Sequence, residues 1–306
     1  MSDAPHEDEA PDIVDIDVRA WVEAASHNTD LYRDRQVAEI VLSSIGLAPT
    51  LKTRLVLKGG TLMALAFNSL RLTGDMDFTA DGDPEAFDEM LRAELDALLP
   101  KTAIQLGYLD LVCRVQSIRK LPRPVNFIDH AFPALLVRIA SARRGVAGEL
   151  ERLERGVAPR VLDMEISFRD QVYDFQTLNL IDAGVAVRAF TLHEIIAEKL
   201  RALLQQPIRN RYRRQDIYDI AFLVDQHPMS RSDLALIHET LLAKCATRDI
   251  VPTKASLDDP EVVRRAQADW ETLKLELSDL PSFAERFAVV SEFYASLPWG
   301  SIEEDR

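Results

Sequence analysis

KGGTLMALAFNSLRLTGDMD, from Lys58 to Asp77, carries a Gly-Gly-Thr turn, a helical stretch and two aspartates one residue apart. Val56 and Leu57 read as the end of a strand. Gly59 and Gly60 read as a turn whose bare backbone can approach a phosphate, and Leu62 to Leu70 as a helix. Asp75 and Asp77 then share one face of a second strand, with Met76 and Phe78 on the other, because side chains alternate along a strand. Two carboxylates on one face can converge on a hard cation while the opposite face keeps its apolar contacts. Thirteen residues separate Thr61 from Asp75, room for one helix to return the chain so that turn and carboxylates meet. That layout suits a nucleoside triphosphate, with turn amides on the terminal phosphates and the carboxylates on a bridging Mg²⁺. Two exposed acids on an edge strand are the plain alternative. Lys58 can add charge at the phosphates. Arg71 and Thr73 can contact phosphate and organise the turn, although a local turn bond accounts equally for Thr73.

Other residues can complete such a site. In VLDMEISF (161–168), Asp163 and Glu165 share a face opposite Leu162, Met164 and Ile166. Glu165 is the choice for a third carboxylate, as base toward an attacking hydroxyl or as part of a second metal site; a solvent-facing strand has the same pattern. TLHEIIAEKLRAL opens with Thr191 and Glu194 at capping-box positions, and Lys199 falls inside the apolar stripe of Leu192, Ile195, Ile196, Leu200 and Leu203. A lysine there either snorkels to the surface or meets a phosphate or carboxylate in a cleft. In RRQDIYDIAFLV, Asp216 lies at the margin of the stripe of Ile217, Ile220, Ala221 and Val224, with Asp219 further round. No GxxxxGK[ST] is present, so the phosphate site is not a P-loop. His193, His227 and His238 lack metal-ligand spacing, and Cys113 and Cys245 stand alone, so zinc and disulfides are not expected.

The chain has 306 residues, 47% hydrophobic and 28% charged, with a net charge of −14, which argues against indiscriminate polyanion binding. The charge is uneven. Residues 1–17 hold seven acids and no Lys or Arg, and EED at 303–305 adds three more. The first 17 residues are expected to form an acidic flexible tail. Basic residues gather at Arg119, Lys120 and Arg123, at Arg138, Arg143 and Arg144, and at Arg209, Arg211, Arg213 and Arg214. They form either a phosphate-facing groove or solvated surface. No signal peptide and no membrane-length apolar run is seen, so a cytoplasmic protein without membrane contact is expected. Strand-like runs follow the double-Asp segment up to about Leu180, whereas after about 190 the pattern is helical only, with stretches at 191–205, 213–226, 231–245, 259–277 and 282–296. The expected layout is a domain of mixed strands and helices over 18–190 and a helical domain over 191–306, with a ligand cleft between them.

KGGT, RLTGDMD, EIIAEKLRAL and RRQDIYDI, in that order, resemble the AbiEii/AbiGii nucleotidyltransferase toxins, including the MenT-type toxins, within the DNA polymerase β-like nucleotidyltransferase superfamily. These motifs span about 58 to 220. The resemblance implies an α+β fold, a polymerase β-like nucleotidyltransferase domain with a mixed sheet followed by a helical C-terminal domain that closes the cleft. It implies that Gly60 and Thr61 contact triphosphate, that Asp75 and Asp77 bind Mg²⁺, and that Lys199 and Asp216 complete the active site. Two departures stand out: Thr73 where the family often has Ser, and Gln215-Asp216 where it has Arg-Asp. The implied activity is transfer of a nucleotide from NTP to an RNA such as a tRNA 3′ end, in a toxin paired with an antitoxin. Transfer to a protein or small molecule, or nucleotide binding with little turnover, are the alternatives.

Overall fold

Period-two alternation in the central strands decides which side of the sheet is dry. The computed structural model describes residues 12–122 and 125–300. Its strands are β1 (Ile13–Ile16), β2 (Leu55–Lys58), β3 (Asp75–Ala80), β4 (Leu111–Leu121), β5 (Ala134–Arg143), β6 (Val161–Phe168), β7 (Phe175–Leu180) and β8 (Val185–Phe190). They form one mixed sheet in the order β1-β7-β8-β2-β3-β6-β5-β4. Helices α1 (Val18–Glu23), α2 (Thr29–Leu47), α3 (Leu51–Arg54), α4 (Gly59–Ala66), α5 (Phe87–Gln105) and α6 (Glu149–Glu154) are interleaved with the strands. After β8 come α7 (Leu192–Arg209), α8 (Arg214–Gln226), α9 (Arg231–Ala246), α10 (Pro260–Gln267) and α11 (Phe283–Ser296). This is an α+β architecture with a helical C-terminal region.

Met76, Phe78, Met164, Ile166 and Phe168 form the dry side of β3 and β6, all buried. Phe87, Leu91, Leu95 and Leu99 of α5, at helical spacing, bury against that side with α2. Phe87 meets Phe168 edge-to-face at 5.2 Å. The core does not stop at Phe190: Ile195, Ile196 and Leu203 of α7 and Ile217 and Ile220 of α8 belong to the same continuous apolar cluster.

Several expectations are corrected. Within the acidic N-terminal stretch, Ile13–Ile16 is a strand, parallel to β7, because IVDI offers a main chain and alternating apolar residues to an open sheet edge. Its acids point outward, where Asp15 accepts a hydrogen bond from Asn179 at 2.7 Å, and Asp17 caps α1 by accepting from Ala20 N at 2.7 Å. Residues 1–11, Arg123 and the EED at 303–305 lie outside the described residues. Gly59 and Gly60 are the first turn of α4 rather than a loop before it, and α4 ends at Ala66, short of Leu70. The stretch 259–277 is no single helix: Asp269, at φ 59°, separates α10 from a 3-10 turn at Trp270–Leu275. Strand β8 carries too little periodicity to be read from VAVRAF.

A flexible tail could be removed freely, whereas these contacts bind residues 13–17 to the fold. Deleting residues 1–17 should lower unfolding free energy by about 2–4 kcal/mol, from loss of the Asp17 cap and of the apolar burial that the Ile16 side chain contributes. Urea denaturation measures it.

Candidate active site

Register brings the acids together. Lys58 of β2 stands opposite Asp77, while β3 and β6 run parallel with Asp75 beside Asp163 and Asp77 beside Glu165. Four carboxylates thus sit two by two on the face turned away from the dry side. Asp163 is answered by Arg138 of β5, whose Nε donates to Oδ1 at 3.2 Å. Burial, then Asp75, then Glu165 push the Asp77 carboxyl up to about 6, with Lys58 and Lys199 pulling the other way.

The two glycines have a second reason to be glycine. A Cβ on Gly59 would lie 2.0 Å from Asp77 Oδ2, and Gly59 has φ +69°; a Cβ on Gly60 would lie 2.5 Å from Thr73 Oγ1. Their bare backbone therefore admits the protein's own Asp77 and Thr73 side chains. Thr61 Oγ1 donates to the Asp75 carbonyl at 2.8 Å, and Thr73 Oγ1 donates to Asp75 Oδ1 at 3.0 Å. No side chain caps α4, so its first-turn amides face this corner with capacity for an anion.

Helices α7 and α8 supply the opposite wall. Lys199 Nζ donates to Asp216 Oδ1 at 2.9 Å and Asp219 Oδ2 at 2.8 Å. Burial lowers the lysine's affinity for its proton, but Asp216 and Asp219 outweigh it and hold Lys199 charged. Asp219 is fully buried and is also clamped by Arg71, whose Nε and Nη2 donate at 2.9 and 3.0 Å. Arg71 Nη1 donates to Glu276 at 2.8 Å, and Leu72 N donates to the Glu276 carbonyl at 2.9 Å. Arg71, read from the sequence as a phosphate contact, therefore has its guanidinium bound to two carboxylates. Asp216 keeps a buried Oδ2 that makes no hydrogen bond, with Arg213 Nε 3.9 Å away.

Lys58 leads to a different cluster. Its Nζ donates to Ser167 Oγ at 2.8 Å and pairs with Asp170 at 3.4 Å, and Asp170 in turn pairs with Arg248. Glu198 pairs with Arg201 and, at 3.6 Å, with Lys244. Burial raises its carboxyl, but Arg201, Lys244 and Lys58 prevail and hold it well below the usual range. Glu194 does not close the expected capping box. Thr191 accepts from Glu194 N at 3.2 Å, but the Glu194 carboxylate turns inward to Lys244 at 2.6 Å. Both cysteines are buried and free.

Among the described residues no three His, Cys, Asp or Glu side chains stand close enough to hold a metal ion unaided. A site of this kind fits Mg²⁺, which takes one or two protein carboxylates and completes its shell with phosphate oxygens and water. Asp75 and Asp77 are the pair that could hold such a cation, and their mutual repulsion is what it would relieve. Glu165 lies beside them without closing a three-acid set.

The profile described as "Nucleotidyl transferase AbiEii toxin, Type IV TA system" matches residues 41–289. The chain belongs to the AbiEii nucleotidyltransferase toxin family. It is therefore a nucleotidyltransferase of a type IV toxin–antitoxin family. Among solved structures it is similar to JHP933 from Helicobacter pylori, with 16% identity and TM-score 0.50 over 87% of this chain and 90% of that one. It is also similar to MenT4, a nucleotidyltransferase toxin from Mycobacterium tuberculosis, with 17% identity and TM-score 0.47 over 90% of this chain and 88% of that one. No curated protein matches. Among the described residues no helix is long and apolar enough to cross a membrane.

The raised Asp77 carboxyl has a stability consequence. Between about pH 4 and 6 the fold holds a proton that the unfolded chain releases, so stability falls as pH rises through that window and levels off above it. In metal-free protein at pH 7.5, Asp77→Asn should raise the unfolding temperature by about 2–4 °C, and at pH 4 it should give no gain. Carboxyl NMR should show Asp77 titrating near 6, and lower in Asp75→Asn.

Proposed function

We propose that the protein transfers a nucleoside monophosphate from an NTP to a hydroxyl of an RNA acceptor, such as a tRNA 3′ end, with Mg²⁺ held by Asp75 and Asp77. The observation that carries this reading is the meeting, on one sheet face, of an aspartate pair, the uncapped start of α4 and the charge of Lys199. A bound Mg²⁺ would neutralise charge on the phosphates and polarise the α-phosphate.

The chain's own groups do the rest. Asp77 gives up its proton before it can take a cation, which happens above about pH 6. The first-turn amides of α4 and Thr61 receive the terminal phosphates, and Lys199, held from α7, supplies a fixed positive charge. Glu165, exposed beside Asp77, takes the proton of the attacking hydroxyl. The new bond joins that oxygen to the α-phosphorus, the bond from the α-phosphorus to the bridging oxygen breaks, and pyrophosphate leaves.

RNA is favoured as the acceptor by Arg209, Arg211 and Arg213, exposed in the turn that leads from α7 to Asp216. Cations there meet a phosphate backbone. Lys120 is paired with Asp88 at 3.1 Å, Arg143 lies 3.7 Å from Asp110 and Arg213 3.9 Å from Asp216, whereas Arg209 and Arg211 make no ion pair among the described residues. A cognate antitoxin is the remaining partner in this reading, and the cytoplasm the compartment.

Incubation with labelled NTPs, Mg²⁺ and total RNA tests it. Label on RNA is the expected outcome; label on protein or metabolites, or no product, counts against it. Asp77→Ala should lower transfer on the order of 10²–10³-fold, since a catalytic cation contributes several kcal/mol. Arg211→Gln with Arg213→Gln should weaken RNA binding and flatten its salt dependence by about one unit of slope per lost phosphate contact.

A further inference from the structure

Asp216 and Asp219 stand three residues apart on one side of α8, both within reach of Lys199, yet their oxygens are used differently. Asp219 has both oxygens engaged by cations. Its Oδ1 accepts from Arg71 Nε at 2.9 Å, and its Oδ2 accepts from Arg71 Nη2 at 3.0 Å and from Lys199 Nζ at 2.8 Å. The side chain is 0% exposed, so no substrate atom can reach it. Asp216 gives Lys199 only Oδ1 and keeps Oδ2 without a hydrogen bond.

What Asp219 joins is distant in sequence. Lys199 comes from α7. Arg71 begins the RLTGDMD segment, and a Cβ on Gly60 would lie 3.4 Å from its Nη2, so the guanidinium rests against the turn that opens α4. Arg71 is fixed on its other side by Glu276 at 2.8 Å. One buried carboxylate thus ties the lysine of the helical half to the segment that leads into the aspartate strand β3. A bidentate guanidinium sets direction as well as distance, which a lone ammonium pair does not.

We propose that Asp219 is a positioning residue: it touches no substrate, but sets where Lys199 and the Arg71–Gly60 corner stand relative to each other. The proposal rests on the reading that Lys199 meets the triphosphate. Without the Asp219 charge, Lys199 keeps Asp216 alone and is drawn onto it, while Arg71 keeps Glu276 alone. Both halves remain folded around the same apolar core but lose their mutual register.

The test is a double-mutant cycle on the full chain, with NTP kinetics in the labelling assay and unfolding temperature read in parallel. Asp219→Asn, nearly isosteric, should raise KM for NTP about 10- to 100-fold, the range seen when a partner that orients an active group is lost. Combined with Lys199→Met it should cost no more than Lys199→Met alone, because it acts through that lysine. Multiplying effects overturn the proposal, as does a lowered unfolding temperature with unchanged KM, which marks a structural role only. An inert Lys199→Met removes the Lys199 reading and the proposal with it, and shows in that variant by itself. If Asp219→Asn does not fold, Arg71→Lys serves: it keeps a cation on Asp219 but loses the fork, and should raise KM several-fold. Unchanged KM in Arg71→Lys overturns the proposal.

Discussion

Helix α7 carries four charges into the interior. Glu194, Glu198, Lys199 and Arg201 have side chains 0, 20, 9 and 8% exposed. A buried ion left without a partner costs several kcal/mol, so each must be met by a partner. Lys199 is met from α8 by Asp216 and Asp219. Glu194 and Glu198 are met from α9 by Lys244, which also lies near the Tyr173 and Phe190 rings. Arg201 is answered along its own helix by Glu198 and Gln205. Apolar burial alone would let α7 slide and rotate against its neighbours; the ion pairs fix its register.

That register gives the acid face of the sheet its second wall. Two ionic clusters flank the aspartates, one through Arg71, Asp219 and Lys199, the other through Lys58, Asp170 and Arg248. Both draw on loops that leave the central strands and on helices that follow β8. The aspartates themselves need little from the helical part to be placed, since the β2–β3–β6 ladder aligns Lys58, Asp77 and Glu165 by backbone bonding alone. What the helices add is a cation at a fixed position.

The parts of this site legible in the sequence are those with a local signature. Asp75 and Asp77 follow from alternation along β3, Lys199 from its place in the α7 stripe, and the glycines from their adjacency. Asp216 and Asp219 three apart also had a signature, one face of one turn, but a wheel centred on Ile217 and Ile220 placed Asp219 off the stripe. The buried side of α8 is wider than its apolar residues suggest, because it faces Lys199 and Arg71 as well as hydrocarbon. Glu276, Asp170 and Ser167 had no local cue, since Arg71 meets Glu276 across 205 residues and Lys58 meets Ser167 across 109. The same limit explains Arg71. Its position before the aspartates suggested phosphate, and only the fold reveals the acids that claim it. Strand β1 was hidden by composition: acids dominate the stretch, yet hydrogen bonding to the β7 edge depends on main chain.

Repulsion among Asp75, Asp77 and Glu165 also links the protein's lifetime to what it binds. Asp77 destabilises the free protein while it is ionised, and a cation that settled beside it would relieve the repulsion. Bound protein then opens less often than free protein, and proteases act on the opened form. Turnover in a cell would then slow as occupancy rises, and the acid face would make the protein's abundance responsive to the supply of the cation it holds.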